Sequence, residues 1–532
     1  MVAIDTAGKT LWQLVEERAT VTPDARMARD EAGRTLTFGE YHQWCLRAAA
    51  GFHDLGVNEG SNVSWVLPSR FESLVLAGAL ARLGAVQNPI LPIYRHREVG
   101  FITRQSHCSM LVVPGTFRGF HYPDMAAEAL QGLDATIVVA DPDLPTGDPA
   151  SLPPYRAALD ELRWLFYSSG TTADPKGAKH TDRTISAAND GMQWSMQVTD
   201  ADRAAVVFPI THVGGLVWLF NTLQTGVELL MVEAFNPAET PHWLGRNGCT
   251  CAGAGTVFWM TYLNAQRQLP AGERLLPEVR IFNGGGAPKP VTLHAEMMDA
   301  FGAPLIGGWG LTESPINTMV HVDDPDDKKA NTDGRACPGV SIRTVMDGVE
   351  TARGVEGELR VKGGQVCMGY LDASLDAEAV QEQVVLELAV VLQLGARLRH
   401  LVPDGDGHQL RHHRDVVREL VRSGAKDFTD FSVNAVDVAR LDAAVAALPV
   451  AGAIGGTVQS TGHHKPPCPP RRCRKCRRPP LRLLYDAAWR PPPIRSKSPT
   501  IPPRLIHSRP VSIRPISLWD AVPFCPQPTS KA

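Results

Sequence analysis

The feature that most constrains this chain is the stretch 167–177, which has the sequence YSSGTTADPKG and directly follows the apolar run 164–166. The apolar run predicts a buried strand, and the stretch after it contains two serines, two threonines, two glycines and one lysine. Glycine allows the backbone to approach a ligand closely, and successive N–H groups can form an anion-binding concavity. Lys176 adds a positive charge on a flexible side chain. The stretch therefore predicts a phosphate-binding loop, with a polar surface turn as the alternative.

This stretch is not a standard P-loop, because Gly177 rather than Ser or Thr follows Lys176 and the glycine spacing differs. It resembles the nucleotide-binding signature of the adenylate-forming superfamily, which includes acyl-CoA synthetases, luciferases and the adenylation domains of peptide synthetases. One departure is Ala173, which stands where the signature usually has a glycine and disfavours a positive φ. The resemblance implies that the nucleotide is bound here by Ser168, Ser169, Gly170, Thr171, Thr172 and Lys176.

The segment 280–288 is a second candidate nucleotide-binding segment. It is a predicted strand that ends in three consecutive glycines, and the alternative interpretation is an ordinary turn. It resembles the family's Gly-Gly-Ala-Pro segment, which lies beside adenine. The resemblance therefore implies a second set of nucleotide-binding residues, namely Gly285, Gly286, Ala287 and Pro288.

About twenty residues later, the segment 305–314 matches the family's aromatic-Gly-x-Thr-Glu motif. The resemblance implies that Trp309 stacks on adenine, that Gly310 adjoins the nucleotide and that Thr312 contacts the α-phosphate. It also implies that Glu313 holds Mg²⁺, and carboxylate oxygens suit a hard cation that bridges phosphates. Thr312, Glu313 and Lys176 are thus the candidate catalytic residues.

The candidate acyl site follows the predicted strand 204–209. His212 comes after a strand–proline pair, as does a histidine that borders the acyl pocket in the family. The resemblance implies that His212, Val213 and Gly214 bind the substrate, with His212 packing and gating near the carboxylate; a purely structural histidine is the alternative. The apolar residues along 213–220 favour an aliphatic or alicyclic acid over an amino acid, whose ammonium group would need a buried carboxylate partner.

The order of the predicted elements indicates an α/β fold. Apolar strands at 62–67, 86–90, 110–113 and 135–140 are separated by helical patterns, which is typical of parallel sheets flanked by helices. The later segments 332–339 and 357–363 also resemble family motifs, and we expect a small β-subdomain, similar to a barrel, near 320–370. The motifs follow the family order, so we expect residues 1–378 to form the AMP-binding N-terminal domain.

The resemblance ends after residue 378. No Thr-Gly-Asp triplet lies about twenty residues beyond Tyr370, residues 413–418 only faintly echo the hinge motif, and no later lysine has the expected Gly-Lys context. We therefore assign no C-terminal catalytic lysine and leave 379–460 unassigned, in place of the family's small C-terminal domain. A reading-frame change near residue 380 is our hypothesis for this loss.

Residues 461–532 are rich in proline and arginine, which predicts a disordered tail. Residues 465–532 contain 15 Lys or Arg and two acidic residues. The net charge is therefore about +13 for these residues and about −16 for the rest of the chain. Nucleic-acid binding by this tail, or a zinc site at Cys468, Cys473 and Cys476 with His463 and His464, are weaker alternatives to unstructured sequence. We expect no nucleic-acid partner.

Composition places the chain among globular enzymes: 44% of its residues are hydrophobic and 20% are charged. No apolar run has the length of a membrane span, the first residues lack the pattern of a secretory signal, and the ten cysteines are scattered. These features predict a cytoplasmic protein with reduced thiols.

The function that the resemblance implies is ATP-dependent activation of a fatty or alicyclic carboxylic acid. The acid would form acyl-AMP and then acyl-CoA, with ATP, Mg²⁺ and coenzyme A required, and the enzyme would serve lipid metabolism. The alternative is an impaired or inactive nucleotide-binding remnant, because the C-terminal lysine and hinge are not found. The sequence does not determine the oligomeric state.

Overall fold

The computed structural model describes residues 3–141, 143–168, 174–346, 348–352 and 354–376. The predicted loop residues Ser169, Gly170, Thr171, Thr172 and Ala173 lie outside the described residues. The same is true of 377–532, so the boundary at 378, the unassigned segment 379–460 and the tail 461–532 stay predictions.

The helices of the described residues are numbered in chain order. They are α1 (Leu11–Val21), α2 (Phe38–Asp54), α3 (Phe71–Leu83), α4 (His96–Gln105), α5 (Tyr122–Ala129), α6 (Asp182–Met196), α7 (Val213–Thr225), α8 (Thr240–Arg246), α9 (Thr256–Arg267), α10 (Leu293–Phe301) and α11 (Asp326–Asn331). None of these helices combines the length and the hydropathy needed to cross a membrane.

The strands of the described residues are numbered in the same way. They are β1 (Arg26–Asp30), β2 (Thr35–Thr37), β3 (Asn62–Trp65), β4 (Val86–Pro89), β5 (Met110–Val113), β6 (Thr116–Phe117), β7 (Phe120–His121), β8 (Thr136–Val139), β9 (Trp164–Ser168), β10 (Lys176–His180), β11 (Arg203–Val206), β12 (Glu228–Met231), β13 (Cys251–Ala252), β14 (Ile281–Gly285), β15 (Leu305–Trp309), β16 (Thr318–Met319), β17 (Arg335–Ala336), β18 (Ser341–Met346), β19 (Val349–Glu350) and β20 (Glu358–Lys362).

Two large sheets organise these elements. The first has the strand order β17-β16-β15-β14-β13-β11-β12-β1-β2 and is parallel in its centre, with antiparallel pairs at both edges. The second has the order β10-β9-β4-β3-β5-β8 and is parallel except for the β9–β10 pair. This arrangement confirms the predicted α/β fold of parallel sheets flanked by helices.

The core consists of three main layers of apolar side chains. The largest joins α1, α2, α3, α6 and α7 to the facing sides of both sheets, and it includes Trp65 and Ile306. A second cluster packs α9 and α10 on the outer face of the first sheet, and a third packs α4 and α5 on the outer face of the second. Successive residues alternate between clusters, as Ala204 and Ala205 of β11 do, because side chains of a strand point to opposite faces.

Local sequence signals set several helix starts. Thr37 accepts a hydrogen bond from the backbone of Glu40, and the Glu40 side chain accepts one from the backbone of Thr37, so a capping box opens α2. Thr10 and Gln13 do the same for α1. These reciprocal bonds satisfy N–H groups that a helix cannot satisfy itself.

The predicted small β-subdomain is present as a three-stranded antiparallel sheet with the order β19-β18-β20. Within the described residues it is an open sheet, and its likeness to a barrel stays a prediction. Closure would need further strands to pair its edges.

Candidate active site

The candidate phosphate loop is the connection of a β-hairpin. β9 and β10 pair antiparallel, with Ser168 opposite Lys176 and Tyr167 opposite Gly177, so the loop joins two neighbouring strands. Lys176 therefore begins a strand, whereas the sequence placed it inside the loop. A Cβ atom on Gly177 would lie 2.8 Å from Cζ of Tyr167, which explains why glycine is needed there. The hairpin fixes the direction in which both ends of the loop leave the sheet.

Glu313 is the residue on which three segments converge. Its Oε1 accepts a hydrogen bond from the Ser168 hydroxyl at 3.1 Å and another from the Tyr370 hydroxyl at 2.7 Å. Burial, together with this bond to Glu313, raises the pKa of Tyr370, so the phenol stays protonated and continues to donate. The contact brings together β9, the turn after β15 and the segment 367–371.

The segment 367–371 is fastened to β10 by its backbone. The Leu371 N–H donates to the Gly177 carbonyl at 2.7 Å, and the Met368 N–H donates to the Lys179 carbonyl at 2.8 Å. The ammonium of Lys176 lies 5.8 Å from the centre of the Tyr370 ring, within the range of a cation–π contact. Lys176 and Glu313 are therefore held around the same tyrosine.

His180, at the end of β10, supports the backbone of Thr312. Its Nε2 lies 2.9 Å from the Thr312 carbonyl oxygen, and its Nδ1 lies 2.9 Å from the Thr184 hydroxyl. Complete burial lowers the pKa of His180 to about 4, so the imidazole is neutral at pH 7. A carbonyl only accepts, so the single ring proton is on Nε2.

The predicted adenine-binding segments are neighbours in the first sheet. β14 and β15 run parallel with Gly285 opposite Gly308, and a Cβ atom on Gly285 would lie 2.4 Å from the Gly308 carbonyl oxygen. Gly286 has a φ of +80°, which favours glycine. Trp309 is half-buried at the end of β15, and the exposed Pro288 follows β14 after Ala287. Because β14 and β15 run parallel and lie close together, both segments lie at the carboxyl ends of these two strands.

His212, Val213 and Thr312 line one small pocket between the two sheets. His212 caps α7, because its Nδ1 accepts a hydrogen bond from the Gly214 N–H at 3.1 Å. Burial lowers the pKa of His212 to about 4, so this ring is neutral at pH 7 as well. A neutral ring that caps a helix is typical of a packing role rather than of proton transfer.

The structure thus brings the predicted residues outside the β14–β15 segments into two adjoining groups, and it adds residues that the sequence interpretation missed. Ser168, Lys176 and Glu313 form one group, and Thr312 joins it to the pocket around His212. The missed residues are Tyr94, Tyr167, His180, Thr211 and Tyr370. Tyr370 lies within the part of the chain that resembles the family, so its hydroxyl was a signal that could have been used.

The carboxylate of Glu313 fits a magnesium ion that also binds phosphates. Both of its hydrogen bonds from the described residues go to Oε1, which leaves Oε2 for a cation. In the described part of the chain, no group of three or more His, Cys, Asp or Glu could hold a metal by itself. Mg²⁺ commonly needs only one or two carboxylates when substrate phosphates supply other ligands.

A carboxylate that accepts from two hydroxyls and a small pocket beside it are typical of an enzyme site that binds a small molecule. Residues 15–371 match the family model of the AMP-binding enzyme family. This chain belongs to that family, which confirms the resemblance found in the sequence.

Curated relatives include the medium-chain fatty-acid–CoA ligase of Escherichia coli, which is 28% identical over 70% of this chain and 67% of its own length. The sulfoacetate–CoA ligase of Cupriavidus necator is 29% identical, over 68% of this chain and 72% of its own. The long-chain fatty-acid–CoA ligase FadD13 of Mycobacterium tuberculosis is 27% identical with the same two coverages. All three names describe ligases that join an acid to coenzyme A.

Solved structures share the fold. A fatty acyl-CoA synthetase of Mycobacterium tuberculosis superposes with a TM-score of 0.62 and 23% identity, covering 71% of this chain and 75% of its own. The inhibitor-bound N-terminal domain of FACL13 from the same organism has a TM-score of 0.62 and 24% identity, covering 70% of this chain and 94% of its own. The described residues therefore have the fold of that N-terminal domain.

Proposed function

We propose that this chain uses ATP to convert a carboxylic acid into acyl-AMP and pyrophosphate, and that it then passes the acyl group to coenzyme A. The observation that carries the proposal is the junction at Glu313, where the hydroxyls of Ser168 and Tyr370 donate to one carboxylate oxygen. The family membership and the names of the relatives support the same reaction.

The residues near the loop would neutralise and align the phosphates. Lys176 would contribute a positive charge, Glu313 would hold Mg²⁺ through Oε2, and Thr312 would contact the α-phosphate. Mg²⁺ would supply charge neutralisation when it is bound. Trp309 and the segment 285–288 would receive adenine between the ends of β14 and β15.

We propose a fatty or alicyclic acid as the substrate. The relatives act on acids as different as fatty acids and sulfoacetate, so their names do not narrow the choice. The support comes from the pocket, whose described lining includes Ile90, Leu91 and Val213 and has no Lys, Arg, Asp or Glu. Such a lining favours an uncharged acyl group. A cytoplasmic location remains a prediction from the sequence.

An impaired nucleotide-binding form is the second candidate. The family match ends at residue 371, and residues 379–532 contain neither the Gly-Lys context nor the hinge motif of the family. Loss of one positioned cationic donor typically lowers kcat by about 10²–10³. In this candidate the chain binds ATP, adenylates weakly and forms little acyl-CoA.

Two assays on the purified full chain separate these functions. Acid-dependent ATP–pyrophosphate exchange reports adenylation, and acyl-CoA formation reports the second step. Exchange and thioester formation together support the complete reaction, whereas ATP binding without either supports the impaired form. Absence of ATP binding would overturn both.

A chimeric protein tests directly whether the C-terminal sequence impairs the reaction. The C-terminal part of the Escherichia coli relative would be joined after Leu371 of this chain. A rise in exchange of about 100-fold or more is expected if the native C-terminal sequence lacks the adenylation lysine. An unchanged rate would contradict the impaired form.

A further inference from the structure

The pocket beside Thr312 contains a cluster of hydroxyl groups that the proposed reaction leaves unused. Tyr94, Tyr167 and Thr211 all line it, and they come from the segment after β4, from β9 and from the turn before α7. Each of their hydroxyl oxygens is shielded from solvent and has no hydrogen-bond partner among the described residues. Tyr167 is 8% exposed and Thr211 is 1% exposed, so little solvent reaches these two side chains.

The other tyrosines of the described chain show that this cluster is unusual. Five of the seven place the hydroxyl in a hydrogen bond, and the two that do not are Tyr94 and Tyr167. A buried hydroxyl without a partner costs about 1–3 kcal/mol. Both exceptions occur at one pocket together with an unpaired threonine, which points to a shared missing partner.

The chemistry of that partner follows from the charge state of the pocket. Burial raises the pKa of Tyr94 and of Tyr167, so both phenols are neutral donors. His212 is neutral at pH 7, and none of the described lining residues is Lys, Arg, Asp or Glu. An ionised group on the acyl chain would therefore lack a countercharge, whereas a neutral oxygen could accept hydrogen bonds from the hydroxyls.

We propose that this pocket recognises a neutral oxygen, a hydroxyl or a keto group, on the acyl part of the substrate. The enzyme would then prefer hydroxy- or oxo-substituted aliphatic or alicyclic acids over the unsubstituted parents. This inference rests on the proposed activation of a carboxylic acid, and it specifies the class of acid. Thr312 lines the same pocket, and the cavity volume of about 20 Å³ suits one oxygen atom rather than a whole acyl group, so only the oxygen substituent would enter it.

Calorimetric binding of matched acids tests the preference directly. The full chain with a non-hydrolysable ATP analogue is titrated with cyclohexanecarboxylic acid, its ring-hydroxylated and ring-oxo derivatives, and the matching hexanoic acid series. We expect the best oxygenated acid to bind about tenfold more tightly than its parent, because each added hydrogen bond contributes about 0.5–1.5 kcal/mol. Equal or tighter binding of every parent acid, or no binding of any acid, would overturn the proposal.

Single-hydroxyl variants locate the contact. Tyr94→Phe, Tyr167→Phe and Thr211→Val each remove one hydroxyl and retain most of the side-chain shape. We expect at least one of them to reduce the preference by about threefold to tenfold. Tyr262→Phe is the control, since the Tyr262 hydroxyl donates to the Gly253 carbonyl at 2.6 Å and should not affect the preference. A preference that survives in all three pocket variants would contradict the assignment.

Two further measurements distinguish a failure of this pocket assignment from a failure of the proposed reaction. Without ligand, Tyr167→Phe should leave the melting temperature unchanged or raise it, whereas Tyr262→Phe should lower it, because only the latter breaks a hydrogen bond. A lower melting temperature for Tyr167→Phe would show that its hydroxyl is already satisfied. Pyrophosphate exchange with the same acids reports the proposed reaction, so oxygen-dependent binding without exchange would reject the reaction and retain the pocket assignment.

Discussion

At the scale of single residues, the site depends on how two hydrogen bonds orient one carboxylate. Ser168 and Tyr370 both donate to Oε1 of Glu313, and this fixes the orientation of the carboxylate. Hydrogen bonds to a charged group are stronger than those between neutral groups. The sequence pattern singled out Glu313. It did not identify Tyr370, which positions the Glu313 carboxylate.

Substitution of Glu313 tests this arrangement. Glu313→Gln keeps the shape and removes the charge, and we expect the rate of pyrophosphate exchange to fall by about 10²–10³. Tyr370→Phe removes one donor and should lower the rate by about tenfold or more. Glu239→Gln, at an exposed position, is the matched control. Equal rates for Glu313→Gln and the control would remove Glu313 from the mechanism.

The pH dependence of stability tests the buried state of His180. Its folded pKa of about 4 lies below the ordinary value of 6.5, so the unfolded chain binds the extra proton first as the pH falls. The stabilisation is complete above pH 6.5, declines as the pH falls toward 4 and amounts to about 3 kcal/mol.

Denaturant unfolding across that pH range provides the measurement. Relative to the wild type, His180→Gln should show a shallower loss of unfolding free energy between pH 6.5 and 4. Identical slopes for the two proteins would show that His180 does not remain neutral inside the fold.

At the scale of elements, the β9–β10 hairpin explains both the success and the failure of the sequence interpretation. The apolar pattern of 164–166 predicted β9, because a buried strand carries its signal in its own residues. The sequence of β10, KGAKH, has no such pattern, and β10 is a strand because it pairs with β9 and with the segment 367–371. Pairing of this kind is not visible in a short polar stretch.

The same reasoning explains which parts of the site could be predicted. The motifs around Lys176 and Glu313 are local patterns. The Tyr370–Glu313 contact spans 57 residues, and the hydroxyl cluster of the pocket joins three distant segments. Such contacts depend on the strand order of the sheets. That order is a property of the whole fold and is not visible in a local sequence pattern.

A substitution at Gly177 tests the packing of the hairpin. Gly177→Ala would place a Cβ atom 2.8 Å from the Tyr167 ring, and we expect a loss of about 1–3 kcal/mol in unfolding free energy. If the ring is the cause, the same substitution should cost less in a Tyr167→Leu background. Equal costs in both backgrounds would show that the constraint lies elsewhere.

At the scale of the whole molecule, the candidate site lies where the two large sheets meet. The pocket takes residues from the carboxyl ends of β4 and β9 in one sheet and from turns after β11 and β15 in the other. Ligands of α/β proteins commonly bind beyond the carboxyl ends of parallel strands. The two-sheet core therefore positions the residues that we propose to bind the phosphates and the acid.

Acid-dependent ATP–pyrophosphate exchange by the purified full chain is the most direct test of the account. The account predicts exchange that requires both a carboxylic acid and Mg²⁺, that is greatest with an oxygen-substituted acid, and that falls by about 10²–10³ in Glu313→Gln. Exchange that is independent of the acid, or equal in the wild type and Glu313→Gln, would contradict it.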